Sequence, residues 1–191
     1  MKWLIASDIH GSAYYCKKLL KAYREEKADR MLLLGDILYH GPRNELPKDY
    51  NPKKVIEMLN YISNDILCVR GNCDAEVDQM MLKFPIMADY CILTFGKHII
   101  FATHGHRFNE DFLPPLKNGD ILLNGHTHVP KCSLHETYTY INPGSVSIPK
   151  ENSHHGYMIL CGECFLWKDF QGNVKKEYNY CLTNNSNSSK L

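Results

Sequence analysis

Residues 1–12 read MKWLIASDIHGS, and the change in composition at Asp8 determines how this stretch folds. The short apolar run at 2–7 is typical of a buried β-strand, and Asp8 and His10 follow it directly. A signal peptide needs an uninterrupted apolar stretch of roughly 7–15 residues, which these two polar residues prevent. The stretch therefore predicts a first strand that ends in polar side chains, and a cytoplasmic protein.

The composition is that of an ordinary globular protein, with 191 residues of which 44% are hydrophobic and 23% charged. Such a chain can bury a core without disulfides, and its length suits one domain. The formal net charge of +1 gives no support to a nucleic-acid partner. No run of ~20 apolar residues predicts a membrane span. We expect a single domain over residues 1–182 and a disordered polar tail over residues 183–191.

The eight cysteines are predicted to be free thiols, because no export signal directs the chain to an oxidising compartment. Cys161 and Cys164 have CxxC spacing, but no second pair of zinc ligands accompanies them. We therefore interpret Gly162 and Glu163, which lie between two apolar runs, as a hairpin turn.

Apolar runs alternate with helical patterns from the N-terminus to about residue 83. Strands are predicted at 30–34 and 66–69. Helices are predicted at 12–27 and from Asn51-Pro52 onward, where an N-cap residue precedes a proline in the first turn. This alternation favours parallel β-α-β units.

The pattern changes beyond this point, where short strands follow one another and a single short helix is predicted at 109–117. The predicted strands are 90–95, 98–103, 121–123, 137–141, 156–160 and 164–167. Two sheets packed face to face, with helices outside them, fit this pattern best.

Five of the predicted strands end in an aspartate, asparagine or histidine, usually beside a glycine. These residues are Asp8, His10, Asp36, Asn72, His104, His126 and His128. In layered α/β proteins, ligands gather at the carboxyl ends of strands. Carboxylate, imidazole and amide-oxygen ligands favour manganese, iron, zinc, cobalt or nickel over calcium. Because one carboxylate can bridge two ions about 3.5–4 Å apart, the pattern is compatible with a two-metal site.

These strand ends carry motifs that resemble the calcineurin-like metallophosphoesterase family, in the order that the family uses. The motifs are SDIHGS at 7–12, LLGDIL at 33–38, VRGNCD at 69–74, THGH at 103–106, NGHTH at 124–128 and INPGSVSIPK at 141–150. Within the family, YHGPRNELP at 39–47 and GNCDAEVDQM at 71–80 are similar to the YfcE-type bacterial phosphodiesterases. The resemblance implies an α/β fold, a four-layer α-β-β-α sandwich of two mixed sheets flanked by helices.

The resemblance also implies a role for each of the seven side chains. Asp8, His10 and His128 would hold the first metal ion, Asn72, His104 and His126 would hold the second, and Asp36 would bridge both. Manganese is the usual metal of YfcE-like members. The implied reaction is in-line attack of a metal-bridging hydroxide on a small phosphodiester, and a phosphomonoester is the alternative substrate for the same centre.

One position departs from the wider family, where many members have a proton-donating histidine in place of Cys73. The thiol of Cys73 either donates a proton or only fills space. If it does not donate, we expect the enzyme either to prefer phosphodiesters with good leaving groups or to use another acid, such as His106. Arg43 is expected to contact phosphate, because guanidinium binds phosphate bidentately. The expected catalytic residues are Asn72, Cys73, Asp74, His104 and His106, and the expected substrate-binding residues are Arg43, Asn72 and Cys73.

The alternative from another class is a non-catalytic scaffold, as in the retromer subunit that resembles this fold. That reading predicts losses among the seven ligands, and the sequence shows none. Asn142 and Ser145 are interpreted as structural residues, and His154 and His155 as loop residues. A homo-oligomer is compatible with the exposed tyrosines and hairpins, but no spacing requires it.

Overall fold

The computed structural model describes residues 1–180, in which eleven strands form two sheets. The strands are β1 (Lys2–Ala6), β2 (Arg30–Leu33), β3 (Ile66–Cys68), β4 (Tyr90–Phe95), β5 (His98–Thr103), β6 (Asp120–Leu123), β7 (Pro130–Leu134), β8 (Tyr138–Pro143), β9 (Gly156–Cys161), β10 (Cys164–Asp169) and β11 (Val174–Asn179). The helices are α1 (Ala13–Glu25), α2 (Pro52–Asn60) and α3 (Glu76–Gln79), with a 3-10 turn at Ser63–Asp65.

Both sheets are mixed, as predicted. The six-stranded sheet has the order β11-β10-β9-β1-β2-β3, in which β1, β2 and β3 are parallel and the remaining pairs are antiparallel. The five-stranded sheet has the order β4-β5-β6-β8-β7, in which β5, β6 and β8 are parallel and the two edge strands are antiparallel. The parallel strands of each sheet thus lie together, and their carboxyl ends are the ones that carry the predicted ligands.

The alternation of side chains along each strand builds two layers of core. On β1, Leu4 and Ala6 face the helices, whereas Ile5 faces the second sheet. Trp167 is completely buried between the sheets, and its indole nitrogen donates a hydrogen bond of 2.7 Å to the carbonyl oxygen of Asn142. The two sheets are therefore fixed against each other both by apolar packing and by a hydrogen bond.

The two long helices lie on the outer face of the six-stranded sheet, and both begin where a side chain caps them. The hydroxyl of Ser12 accepts from the backbone N–H of Tyr15, and the side chain of Asn51 accepts from that of Lys54. Leu19 of α1 and Leu59 of α2 are completely buried in the layer between the helices and the sheet. The predicted N-cap at Asn51 is confirmed.

The predicted helix over 109–117 is wrong, since this segment forms bends on the outer face of the five-stranded sheet. Pro114 and Pro115 remove two N–H donors that a helix would need. The side chain of Asn109 accepts from the N–H groups of the residues two and three positions further on, an alternative to helical pairing. Phe108 and Leu116 nevertheless cover the sheet, packing on its outer apolar cluster.

Three short elements, α3, β7 and β11, lie outside the predicted ones. The predicted hairpin turn at Gly162 and Glu163 is confirmed, with Cys161 and Cys164 directly opposite each other on β9 and β10. The seven cysteines in the described part of the chain are free thiols. Cys181 and the predicted tail at 183–191 lie outside the described residues. Among residues 1–180, no helix has the length and apolarity needed to span a bilayer.

Candidate metal centre

The loops after five parallel or central strands bring the seven predicted ligands into one cluster. The loops follow β1, β2, β3, β5 and β6. Interatomic distances of 3.7 Å or less connect the members of the cluster in an unbroken series. The residues that it joins are Asp8, His10, Asp36, Asn72, His104, His126 and His128. Residues from both sheets contribute, so the cluster lies at the shared end of the sandwich.

The first group consists of Asp8, His10 and His128, whose ligand atoms all lie within 4.8 Å of one another. The Oδ1 atom of Asp8 is 3.7 Å from Nε2 of His10 and 3.3 Å from Nε2 of His128. The two imidazole Nε2 atoms are 3.3 Å apart. Three donors pointing at one space match the arrangement that holds a divalent transition-metal ion.

The second group surrounds His104, and Asp36 lies between the two groups. The Nε2 atom of His104 is 3.0 Å from Oδ1 of Asn72 and 3.1 Å from Nδ1 of His126. The Oδ2 atom of Asp36 is 3.5 Å from Nε2 of His104 and 3.6 Å from Nε2 of His10. Asp36 is thus the side chain that is positioned to contact both groups.

Three of the histidines are oriented by backbone carbonyl oxygens. Their Nδ1 atoms lie 2.7 Å, 2.7 Å and 2.6 Å from the carbonyl oxygens of Tyr39, Leu34 and Ile148. The histidines, in the same order, are His10, His104 and His128. When the imidazole is neutral, a proton held on Nδ1 by such a bond leaves the lone pair of Nε2 free to face the centre, as in histidine–metal sites.

The backbone at the centre is strained, because five of the seven predicted ligands have left-handed φ angles. These are Asp8 (60°), His10 (48°), Asp36 (55°), His126 (67°) and His128 (63°). Non-glycine residues in this region cost of order 1–3 kcal/mol each and concentrate at functional sites. The hydroxyls of Ser145 and Ser147 hold the first of these turns by donating to the carbonyl oxygen of Asp8.

Asp74 is buried beneath the centre and does not line the cleft above it. Its carboxylate accepts from the backbone N–H groups of Asp36, Ile37 and Gly71, at distances of 2.9 Å, 2.9 Å and 2.7 Å. Burial raises the pKa of this carboxyl to about 6, while the amide donors act to lower it. The contacts tie the Asp36 loop to the Gly71 loop, and so bring Asp36 and Asn72 together.

The electrostatics of the cluster fit a bound cation. The Oδ1 atom of Asp8 is buried and has no hydrogen-bond partner in the described chain. Burial opposes the charge of Asp8, yet the neighbouring histidines hold its pKa well below the ordinary value. Burial acts to lower the pKa of His104, but Asp36 and Asp8 raise it to about 9. The negative charge of the two buried carboxylates stabilises a proton on the imidazole of His104, and a metal ion would compensate that charge equally well.

Asn72, Cys73 and His126 are the partly exposed members of the site, and an open cleft of about 440 Å³ lies against them. The predicted phosphate ligand Arg43 stands on its wall. Lys150 also lines the cleft, although sequence reasoning missed it. The complete lining is Asp36, Gly41, Pro42, Arg43, Asn44, Asn72, Cys73, His126, Thr127, His128 and Lys150.

The thiol of Cys73 lies at the centre, with Sγ within 4.8 Å of ligand atoms of His10 and Asp36. Its Sγ accepts from the amide of Asn72 at 3.3 Å, and its backbone N–H donates to Oδ1 of Asp36 at 2.8 Å. Burial and the charge of Asp36 raise the pKa of the thiol to about 12. Cys73 is therefore a neutral thiol in the metal-free protein.

His106 is half-buried beside the second group, its ring centroid 5.4 Å from that of His104. It does not line the cleft, and its Nδ1 atom is buried without a hydrogen-bond partner among residues 1–180. Asn142 supports the neighbouring loop, because its amide donates to the carbonyl oxygen of Gly125 at 2.7 Å. His154 and His155 lie in the loop before β9, away from the seven ligands.

Comparison with known proteins relates this chain to phosphoesterases. A calcineurin-like phosphoesterase superfamily domain matches residues 1–163. Phosphodiesterase YfcE of Escherichia coli K12 is 46% identical over 160 residues, which cover 84% of this chain and 87% of that protein. Probable metallophosphoesterase YsnB of Bacillus subtilis is 26% identical over 167 residues, which cover 84% of this chain and 83% of that protein.

Solved structures of similar fold include one of the same relatives. The structure of YfcE, described as a phosphoesterase from E. coli, has a TM-score of 0.91 at 40% identity and covers 94% of this chain and 100% of that one. Vacuolar protein sorting 29 from Cryptosporidium parvum has a TM-score of 0.59 at 18% identity, covering 93% and 97%, and this likeness shows the fold alone. By its matching domain and its 46% identical relative, this chain belongs to the calcineurin-like phosphoesterase superfamily.

Proposed function

We propose that this protein is a metal-dependent phosphodiesterase that hydrolyses small phosphodiesters. The observation that carries the proposal is the convergence of seven ligand-type side chains in one cluster, four of which line an open cleft. Membership of a phosphoesterase superfamily supports the reaction type. The 46% identity to a protein named phosphodiesterase supports diesters over monoesters.

The donor set supports two divalent ions that share one carboxylate. Asp8, His10 and His128 would hold the first ion, Asn72, His104 and His126 would hold the second, and Asp36 would contact both. When bound, such a pair of ions neutralises charge on the phosphoryl oxygens and lowers the pKa of a coordinated water. A mixture of imidazole, carboxylate and amide oxygen suits manganese, with iron, zinc, cobalt and nickel as the alternatives.

Other residues of the chain would bind and orient the substrate. Asn72 and His126 face the cleft, so the reacting phosphate would enter against them. Arg43 stands on the cleft wall, where it would donate hydrogen bonds to a phosphate group of the substrate. Asp74 would act as a positioning residue, since its carboxylate is occupied by three backbone N–H groups.

Cys73 makes the enzyme selective for good leaving groups in our proposal. A thiol lacks the near-neutral pKa that makes histidine an efficient general acid, a contribution worth about 10²–10⁴-fold. Along a series of aryl methyl phosphodiesters, we expect kcat/KM to fall steeply as the leaving-group pKa rises. The Cys73→His variant should flatten this dependence.

The His106→Ala variant tests whether His106 donates the proton to the leaving group. A flat dependence in the wild type that becomes steep in His106→Ala would assign the proton transfer to His106. A flat dependence in the wild type would in either case contradict the selectivity proposal, because esters of poor leaving groups would then react efficiently, and a dependence that stays flat in His106→Ala would show that they do so without His106.

We further propose that the protein acts in the cytoplasm on a small-molecule substrate, without a nucleic-acid or membrane partner. Seven free thiols are typical of a reducing compartment. Self-association is part of the same proposal, since Tyr90, Ile92 and Phe112 expose apolar surface next to the outer face of the five-stranded sheet.

The alternatives are a phosphomonoesterase with the same centre and a non-catalytic scaffold of the same fold. Metal-stripped protein reloaded separately with manganese, zinc, iron, cobalt or nickel should hydrolyse bis-(p-nitrophenyl) phosphate faster than p-nitrophenyl phosphate, with manganese giving the highest rate. A preference for the monoester would favour the first alternative. Folded, metal-loaded protein that turns over neither ester would favour the scaffold.

A further inference from the structure

Two cations on the wall of the cleft have no side-chain partner among residues 1–180. Arg43 and Lys150 are both exposed, and in the described chain neither side chain takes part in an ion pair or a hydrogen bond. Some other surface cations do have carboxylate partners, among them Arg107 with Asp89 at 2.7 Å. The cleft therefore holds two positive charges that no ion pair within the described part of the chain neutralises.

Lys150 is held beside the centre by a tight turn. The N–H of Ser153 donates to the carbonyl oxygen of Lys150 at 3.0 Å, and Glu151 and Asn152 between them have left-handed φ angles of 53° and 55°. Two successive residues of this kind define a type I′ turn. The N–H of Lys150 also donates to the carbonyl oxygen of the predicted ligand His128 at 3.2 Å. The position of Lys150 is thus tied to the metal centre.

Arg43 is placed by a turn of its own. Asn44 bonds back to this turn twice, through its side chain to the carbonyl oxygen of His40 at 2.8 Å and through its N–H to that of Gly41 at 3.4 Å. The ring of His40 packs edge-on against Tyr50, with centroids 5.2 Å apart. Because the flanking residues are fixed in this way, the guanidinium projects from an ordered segment.

The charge balance indicates that Arg43 and Lys150 are not needed to neutralise the reacting phosphate. A phosphodiester carries one negative charge, and two divalent ions bring more positive charge than the carboxylates of Asp8 and Asp36 neutralise. Asp36 supplies the one carboxylate among the described residues that line the cleft. A volume of about 440 Å³ also exceeds what a single phosphate group fills.

We propose that Arg43 and Lys150 form a subsite for a second phosphate group, carried by the alcohol part of the phosphodiester substrate. This inference rests on the proposed phosphodiesterase function and narrows it to one substrate class. A phosphate at the subsite would receive bidentate hydrogen bonds from the guanidinium and a point-charge contact from the ammonium group. Substrates of this class carry one ester phosphate at the metal centre and one terminal phosphate at the wall.

Two esters that differ only in the second phosphate test the subsite. The probes are thymidine 5′-(p-nitrophenyl phosphate) and the same compound with a 3′-phosphate. In manganese-loaded wild-type protein, we expect kcat/KM to be about tenfold or more higher for the bisphosphate. This ratio should fall towards unity in Lys150→Met, persist in Lys150→Arg, and decline as ionic strength rises. Lys53→Met, on the exposed side of α2, is the matched control and should keep the wild-type ratio.

A binding measurement supports the kinetic one. Thymidine 3′,5′-bisphosphate should inhibit hydrolysis of bis-(p-nitrophenyl) phosphate at about tenfold lower concentration than thymidine 5′-phosphate, and Lys150→Met should remove this difference. Equal kcat/KM for the two esters in the wild type would overturn the subsite while leaving the phosphodiesterase standing. An equal loss on both esters in Lys150→Met would also overturn it, because Lys150 would then serve the reacting phosphate. Turnover of neither ester would overturn the proposed function and the subsite together.

Discussion

Replacing Asp36 with asparagine is expected to lower kcat/KM on bis-(p-nitrophenyl) phosphate by about 10³-fold or more. Oδ2 of Asp36 lies 3.6 Å from Nε2 of His10 and 3.5 Å from Nε2 of His104, so its negative charge lies next to both groups of ligands. In Asp36→Asn a neutral amide replaces this charge. Metal ions contribute several kcal/mol of transition-state stabilisation, and each 1.36 kcal/mol corresponds to about tenfold in rate.

The same variant should bind less metal, and this readout is independent of catalysis. Wild-type protein at ~100 times the metal dissociation constant gains about 2.7 kcal/mol of stability, a rise of roughly 5–10 °C in Tm for a chain of this size. Asp36→Asn should lose most of this rise, as measured by thermal melting together with metal content.

Asp111→Asn is the matched control for the loss of one carboxylate. Asp111 is exposed and does not line the cleft, and it should keep both wild-type activity and the metal-dependent rise in Tm. Activity near wild type in Asp36→Asn would mean that the centre is wrongly assigned. An unchanged metal content with lost activity would restrict the role of Asp36 to the reaction itself.

The position of the site was predictable because it depends on where strands end. A run such as MLLL before Gly35 and Asp36 shows that an apolar strand stops and a polar side chain follows. Parallel strands present their carboxyl ends at one edge of a sheet, so five such ends indicate a common site before any contact is known. The spacing of apolar residues likewise predicts the two sheets, the helix within 12–27 and the helix that begins at Asn51-Pro52.

The supporting contacts were not predictable, since they join residues far apart in sequence through backbone atoms. The carbonyl oxygen of Tyr39, which orients His10, depends on the path of the chain and carries no side-chain signal. Lys150 carries no sequence signal of its own, because the turn that follows it is what places it in the cleft. The helix expected at 109–117 failed for a local reason that was readable, the Pro114-Pro115 pair.

Gly71→Ala should damage the centre although it changes no ligand. A Cβ atom at Gly71 would lie 2.1 Å from Oδ1 of Asp36 and 2.3 Å from its backbone nitrogen, and real Cβ atoms essentially never approach so closely. Asp36 would have to move, which would disturb its contacts with both groups of ligands. Misplacing a reacting group by about 1 Å costs on the order of 10²-fold in rate, and overpacking costs about 1–3 kcal/mol.

We therefore expect Gly71→Ala to lose about 10²-fold in kcat/KM at saturating metal and to melt roughly 3–10 °C lower. Gly162→Ala separates this effect from the general cost of adding a Cβ, because Gly162 has no atom within 4 Å of the added position. Its φ of 59° makes alanine unfavourable by about 1–2 kcal/mol, so Tm should fall while kcat/KM stays at the wild-type value. If Gly71→Ala lowered Tm yet kept wild-type kinetics, the Asp36 loop would be able to adapt to the added Cβ. Tight contact between the Asp36 and Gly71 loops would then not be what holds the Asp36 carboxylate in place.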